Sequence, residues 1–350
     1  MSDQSPSGPP EPGPVGPPAP TGPVEPAGPH QGWVFPPTGG FPPGSGPHAG
    51  FPPGYPPYGG HLPYGWPAAG GWDPADPLVN PPYAGVNGWF ARCAGALRRS
   101  WRTLLPVMLL TQALPAAVIS IISLGLDPTP RLESRPADGS LPEGYLGDLV
   151  TFGAWMLVAS LLLLVVQSVG WAAGTWVLTR QAAGVPADLG GALRYGLRRA
   201  PGLYAWSLLM GVILTVGFAF CVLPGVYLAF ALALAGPVYL FERQNPIGRS
   251  FRFFHDRLGM VLGRVALVAV AVVLGSVVGA VLEVVGKAPL GTDPFAAPGS
   301  TVGAVAVVVV TAVLVVPVYL VQLVGLVVTY AEQRAHEAPV NVARLATELG

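Results

Sequence analysis

The chain has 350 residues, of which 51% are hydrophobic and 10% charged, and its formal net charge is zero. Charge this sparse excludes a pair of ordinary soluble domains, because long apolar stretches would show water no polar face. Seventeen of the eighteen basic residues are arginine and Lys287 is the sole lysine, a bias that points to a GC-rich bacterial genome. Cys93 and Cys221 are the two cysteines, too few for a disulfide framework. The first thirty residues hold no apolar run of the kind a signal peptide needs. The first hydrophobic helix is therefore expected to act as both targeting signal and anchor.

Residues 1–87 are rich in proline and glycine and almost free of charge. Proline removes backbone donors and glycine raises the entropy lost on ordering, so a disordered cytoplasmic tail is expected. A weak repeat runs through it: Phe35-Pro36-Pro37, Phe41-Pro42-Pro43-Gly44, Phe51-Pro52-Pro53-Gly54 and Tyr55-Pro56-Pro57-Tyr58. Glycine does not recur at every third position, which rules out a collagen period. The tail reads as a flexible spacer with polyproline II character, or as a series of aromatic stickers that recruit a protein partner.

Six stretches are long and apolar enough to cross a bilayer core of roughly 30 Å. In chain order they are 101–124, 150–178, 203–222, 225–241, 260–285 and 301–330, within a membrane domain spanning 88–331. Residues 203–241 contain no charge, and as one helix they would reach about 58 Å at ~1.5 Å per residue. Leu223-Pro224-Gly225 is the natural place to divide them. The valines of the last stretch do not argue for strand, because a lone strand in lipid leaves its backbone unsatisfied. The expected fold class is an all-α integral membrane protein, ending in a short cytoplasmic segment at 332–350.

Orientation follows from the flanking basic residues. Arg92, Arg98, Arg99 and Arg102 precede the first span, and Arg180, Arg194, Arg198 and Arg199 lie between the second and third. Arg243, Arg249, Arg252, Arg257 and Arg264 fall around the fourth and fifth, and Arg334 and Arg344 follow the sixth. The other side receives Arg131, Arg135 and Lys287. Fifteen against three places both termini in the cytoplasm of a multi-pass protein.

Each odd-numbered span is preceded by a basic amphipathic segment. Trp89, Phe90, Cys93, Leu97, Trp101 and Leu104 share one face of the first, opposite Arg98, Arg99 and Arg102. Leu189, Leu193 and Leu197 line the second, opposite Arg194 and Arg198, with Asp188 as N-cap. In the third, Asn245 caps, Pro246 occupies the first helical position, and Ile247, Phe251, Phe254 and Leu258 oppose Arg249 and Arg252. Segments of this kind lie in the membrane interface with guanidinium groups at phosphate level, so these arginines and Arg257 are candidate contacts for anionic headgroups. Either three helix-plus-hairpin units repeat along the chain, or the orientation rule alone makes the loops basic.

The run Cys221-Val222-Leu223-Pro224-Gly225-Val226-Tyr227-Leu228, with Ala235-Gly236-Pro237-Val238-Tyr239-Leu240-Phe241-Glu242-Arg243 and Asn245-Pro246-Ile247-Gly248-Arg249-Ser250-Phe251, resembles the glycerophosphodiester phosphodiesterase membrane-domain family and related bacterial membrane families of unknown function. The likeness is specific over about 220–258 and looser over 90–330. It implies structural roles for Pro224, Gly225, Pro237, Glu242 and Ser250. Gly248 and Phe251 depart from the Arg and Trp of the family pattern, although Arg98-Arg99-Ser100-Trp101 carries that tetrapeptide earlier. Family members that are enzymes carry a separate barrel opening on His-Arg-Gly. No histidine here precedes Arg-Gly, so the resemblance implies a membrane fold without that activity and without a cofactor.

Polar residues inside the spans are few. Gln112, Gln167 and Gln322 read as amides bridging helices, or as part of a substrate path. Glu283 precedes Lys287 by one turn and should pair with it locally. Glu242 sits just ahead of Arg249 and Arg252, where an ion pair would fix the interfacial helix to the bundle; a proton or substrate role is the alternative. Gly170-x-x-x-Gly174, Gly259-x-x-x-Gly263 and Gly275-x-x-x-Gly279 match the close-packing motif, but 47 glycines make chance matches easy. The expected function is non-enzymatic, in envelope organisation or headgroup contact, with no nucleic-acid partner. The alternative is a small-solute or lipid transporter.

Overall fold

The computed structural model describes residues 72–133, 140–291, 295 and 297–350. The aromatic-proline repeat and Arg135 lie outside the described residues. The described residues form helices joined by short turns, with no strand among them. Six helical stretches are long and apolar enough to cross a membrane: Gly85–Leu132, Tyr145–Ala182, Leu189–Phe220, Val222–Glu242, Leu258–Leu290 and Pro298–Glu337.

The first stretch begins as α1 (Gly85–Met108), passes through a π-helical turn (Leu109–Ala113) and continues as α2 (Leu114–Leu126) and the short α3 (Thr129–Glu133). Pro115 has no N–H to offer the carbonyl of Thr111, so the ladder slips there, and the Leu114 amide reaches back to the Leu109 carbonyl. The second stretch is α4 (Tyr145–Ala182) and the third α5 (Leu189–Phe220). Asp188 caps α5 as expected, accepting the Gly191 amide at 2.9 Å. That bond holds its carboxyl below the usual carboxylate range, so the cap acts at neutral pH and is lost as pH falls through the depressed value.

The chain reverses at Cys221, which is extended, and α6 (Val222–Leu232) runs back along α5. The break thus falls three residues before Pro224, which becomes part of the first turn of α6 beside the buried Gly225. Pro237 interrupts this span a second time, because it cannot donate to the carbonyl of Ala233, and α7 (Ala235–Glu242) restarts beyond the kink. Next comes α8 (Pro246–Asp256), capped by Asn245, whose side chain accepts from the amides of Ile247 and Gly248. The fifth span is α9 (Leu258–Lys287), the sixth α10 (Pro298–Leu314) and α11 (Val316–Glu337), and α12 (Val342–Leu349) closes the chain.

Two expectations need correction. The membrane domain does not start at residue 88, because residues 72–84 form a strap packed into it: Leu78, Val79 and Asn80 are buried, and the Trp72 indole donates to the Ala335 carbonyl. The first two amphipathic segments are not separate helices, since α1 and α5 run unbroken from the basic stretch into the span; α8 alone stands apart. On the second segment Arg194 and Arg198 are exposed, and Leu189 packs against the core. Leu197 is 64% exposed, whereas Ala192, Tyr195, Gly196 and Ala200 are buried. Within residues 332–350, α11 continues through Glu337, and Val342, Leu345 and Leu349 of α12 are buried.

Burial is uneven along the bundle. Near the arginine-rich end Trp89, Leu104, Leu178, Phe253, Leu323 and Tyr330 are buried together. Toward the opposite end Phe220, Leu223, Val284 and Val302 are each more than 60% exposed, which suits acyl chains and not water. Glycine sets several close approaches. A Cβ at Gly174 would lie 2.5 Å from Leu323, and one at Gly196 2.6 Å from the Val169 carbonyl oxygen, a backbone atom that cannot yield. Gly275 and Gly279 abut Val318 and Val315, whereas Gly259 and Gly263 face open space. Two of the three glycine motifs are therefore packed against a neighbouring helix.

Candidate functional site

Three arrangements carry polar chemistry: an exposed arginine rim, a buried ion-pair layer beneath it, and a cavity deeper in the bundle. The rim is built from the first turns of the odd-numbered spans and from α8. Of the eight candidate headgroup arginines, Arg98, Arg102, Arg194, Arg198 and Arg252 are exposed and have no ion-pair partner among the described residues. Arg102 leans on the ring of Trp101, and Arg194 lies in the field of the Asp188 carboxylate. The other three are engaged by protein. Arg99 donates to the Pro77 carbonyl at 2.7 Å, Arg257 to the His336 carbonyl at 3.0 Å, and Arg249 pairs with two carboxylates.

Glu242 is the hub of the layer below. Its carboxylate takes the Arg249 Nε at 2.9 Å and the Tyr330 hydroxyl at 3.0 Å, with Arg334 Nη1 at 3.4 Å. Arg249 reaches on to Glu337, and Arg334 to Glu348. The expected ion pair between Glu242 and the interfacial helix is present, and it also draws in α11 and α12. Ser250 adds a second tie, donating at 2.6 Å to the Ala231 carbonyl beside the kink that Pro237 creates. A hollow of about 460 Å³ lies here, lined by Glu242, Glu337, Glu348, Arg249, Arg334 and Arg344. Three carboxylates balance three guanidinium groups, so the hollow offers an ionic ligand no surplus charge.

Deeper still, Arg264 of α9 meets Glu332 of α11, Nε to Oε2 at 3.1 Å and Nη2 to Oε1 at 3.2 Å. The Arg264 side chain is 10% exposed and that of Glu332 1%. Asn80 of the strap donates to the same carboxylate at 2.7 Å, and the Trp89 ring lies 5.8 Å from the guanidinium carbon. The Trp89 indole in turn donates to Thr329 at 3.0 Å. Sequence reasoning placed Arg264 at the inner end of a span and left Glu332 outside, so this buried pair was missed. The available signal was the absence of any turn residue between Tyr330 and Glu332, together with the switch from the aromatic-proline repeat to Leu78-Val79-Asn80. The local pair of Glu283 and Lys287 is present as expected.

The glutamines divide. Gln112 is 2% exposed, packed against Gly170, and its Nε2 has no hydrogen-bond partner among the described residues. Gln167 and Gln322 instead line a cavity of about 400 Å³ among α4, α5, α6, α7, α9 and α11, together with Ser168, Ser207 and apolar side chains. Among the described residues, no side chain lining it is ionisable.

No protein-family profile, no curated protein and no solved structure matches this chain.

Proposed function

We propose that the chain is a non-enzymatic protein of the bacterial cytoplasmic membrane, with both termini inside, whose arginine rim holds anionic lipid headgroups in the service of envelope organisation. The observation that carries this reading is the set of five exposed arginines that make no ion pair among the described residues, beside an inner layer where arginine and glutamate are matched. Charges left free at one end of an apolar bundle lie where headgroup phosphates would sit. The proline-rich tail would recruit a protein partner.

Two measurements test the reading. Reporter fusions after residues 140 and 291 should report the outer side, and fusions after 186 and 345 the cytoplasm; an inside signal at 140 overturns the orientation. Changing Arg98, Arg102, Arg194, Arg198 and Arg252 together to Gln should weaken retention of phosphatidylglycerol over phosphatidylcholine in native mass spectrometry. Each charge contributes on the order of 1 kcal/mol near the surface, less at high salt. Because the same arginines help set topology, the fusions are repeated in the variant first. Equal retention of both lipids by the unaltered protein removes the headgroup role.

A second reading, transport of a small solute or lipid, is favoured by one observation: two of the three intramembrane glutamines face a common cavity.

A further inference from the structure

The cavity is a chemical filter that can be read from its lining. Gln167 lies thirteen residues before Arg180 on α4, and Gln322 twelve before Arg334 on α11. Both amides thus sit roughly 18–20 Å along the helix from the arginine end, near the middle of a bilayer core of about 30 Å. Neither side chain has a hydrogen-bond partner among the described residues. An amide at that depth without a partner is costly, since hydrocarbon supplies neither donor nor acceptor. Ser207, beside them, likewise has no hydrogen-bond partner among the described residues, whereas Ser168 donates to the Leu164 carbonyl.

The remaining lining is apolar, with Trp171, Leu203, Met210, Ala269 and Val272 among it. A second hollow of about 380 Å³ shares Leu164 and Ser207 with the first and continues between α4 and α5 past Gly211, Val212 and Val216. Leu208, Val212 and Val216 on that path are 39%, 54% and 50% exposed, so the path opens sideways, where acyl chains would lie. A charged ligand would meet no counter-charge and would bear its full desolvation cost. A pure hydrocarbon would leave both amides unpaired.

We propose that this cavity binds an uncharged single-chain lipid with a hydroxyl terminus, its hydroxyl between Gln167 and Gln322 and its chain in the α4–α5 groove. An alcohol both donates and accepts, which matches two amides facing one space. The site goes beyond the headgroup rim and does not depend on it. It gives the cavity of the transport reading a ligand class without requiring that the ligand cross the membrane.

The test uses the full chain in nanodiscs of phosphatidylcholine, a bilayer in which the rim has no anionic headgroup to bind. Hexadecanol bearing a diazirine on its chain is the probe, and crosslinked peptides are mapped by mass spectrometry. Label should concentrate on residues 160–172 and 203–216 and should be displaced by excess hexadecanol but not by palmitate at pH 8. Gln167→Leu with Gln322→Leu should reduce it at least tenfold. Because that pair could disturb packing, Ala269→Phe, which fills the cavity while keeping both amides, should give the same loss with an unchanged unfolding temperature. The inference is overturned by equal labelling of the lipid-facing positions Val270, Leu274 and Val277, by labelling that survives both variants, by equal competition from palmitate, or by no label in the unaltered protein.

Discussion

Replacing Glu332 with alanine should lower the stability of the detergent-solubilised protein by about 3–5 kcal/mol, the usual cost of breaking a buried ion pair from one side. Arg264 would keep its charge in a site where its side chain is 10% exposed, and the Asn80 amide would lose its acceptor at the same time. Glu332→Gln, which keeps the shape and the Asn80 contact but not the charge, should fall between. The double variant Arg264→Met, Glu332→Leu should recover most of the loss, because well-packed apolar groups avoid the desolvation that the pair must offset. Thermal unfolding followed by near-ultraviolet circular dichroism measures all three, with a drop on the order of 10 °C expected for the alanine variant. A single variant as stable as the parent would mean that water already reaches the pair.

The second large effect concerns the strap. Removing residues 1–71 should leave the unfolding temperature unchanged, because every contact described for the strap is made from Trp72 onward. Removing residues 1–84 should be severe. It takes away Leu78 and Val79, which are 0% and 2% exposed, at about 1.5–3 kcal/mol each for lost burial. It also removes the Asp76 carboxylate that accepts the Val342 amide at the start of α12, and the carbonyls that hold Arg92 and Arg99. Comparing the two truncations by thermal unfolding and limited proteolysis decides the matter. Equal unfolding temperatures would return residues 72–84 to the tail.

What the sequence disclosed here follows from how far each interaction reaches. The six spans were legible because each rests on a run of apolar residues, and the caps at Asp188 and Asn245 because a cap acts within three residues. The ion pair of Glu242 with Arg249 joins neighbours seven residues apart, close enough to guess. Glu332 meets Arg264 across 68 residues and Asn80 across 252, and no local period marks such a pairing. The packed side of α5 went unread for a different reason. Beside lipid a leucine stripe need not mark the inside of a helix: Leu197 faces outward, while Tyr195, Gly196 and Ala200 take the packed side. Likewise the motif Gly259-x-x-x-Gly263 gave no packing at all, because spacing does not say which way a glycine points. The cavity was half legible: the glutamines were visible, but not that Gln112 packs away from the two that share a space.

The span of that buried pair has a consequence in time. A chain grows from its amino end at about 5–20 residues per second. Arg264 therefore precedes its carboxylate by 68 residues, or roughly 3–14 s of synthesis. During that interval the fifth helix carries an unmatched cation, and the strap has neither Glu332 nor the amide of Val342 to hold it. The arginine end can close only when the last helix arrives, so its packing waits for the sixth span, and a chain cut short before that span would keep Arg264 without its carboxylate.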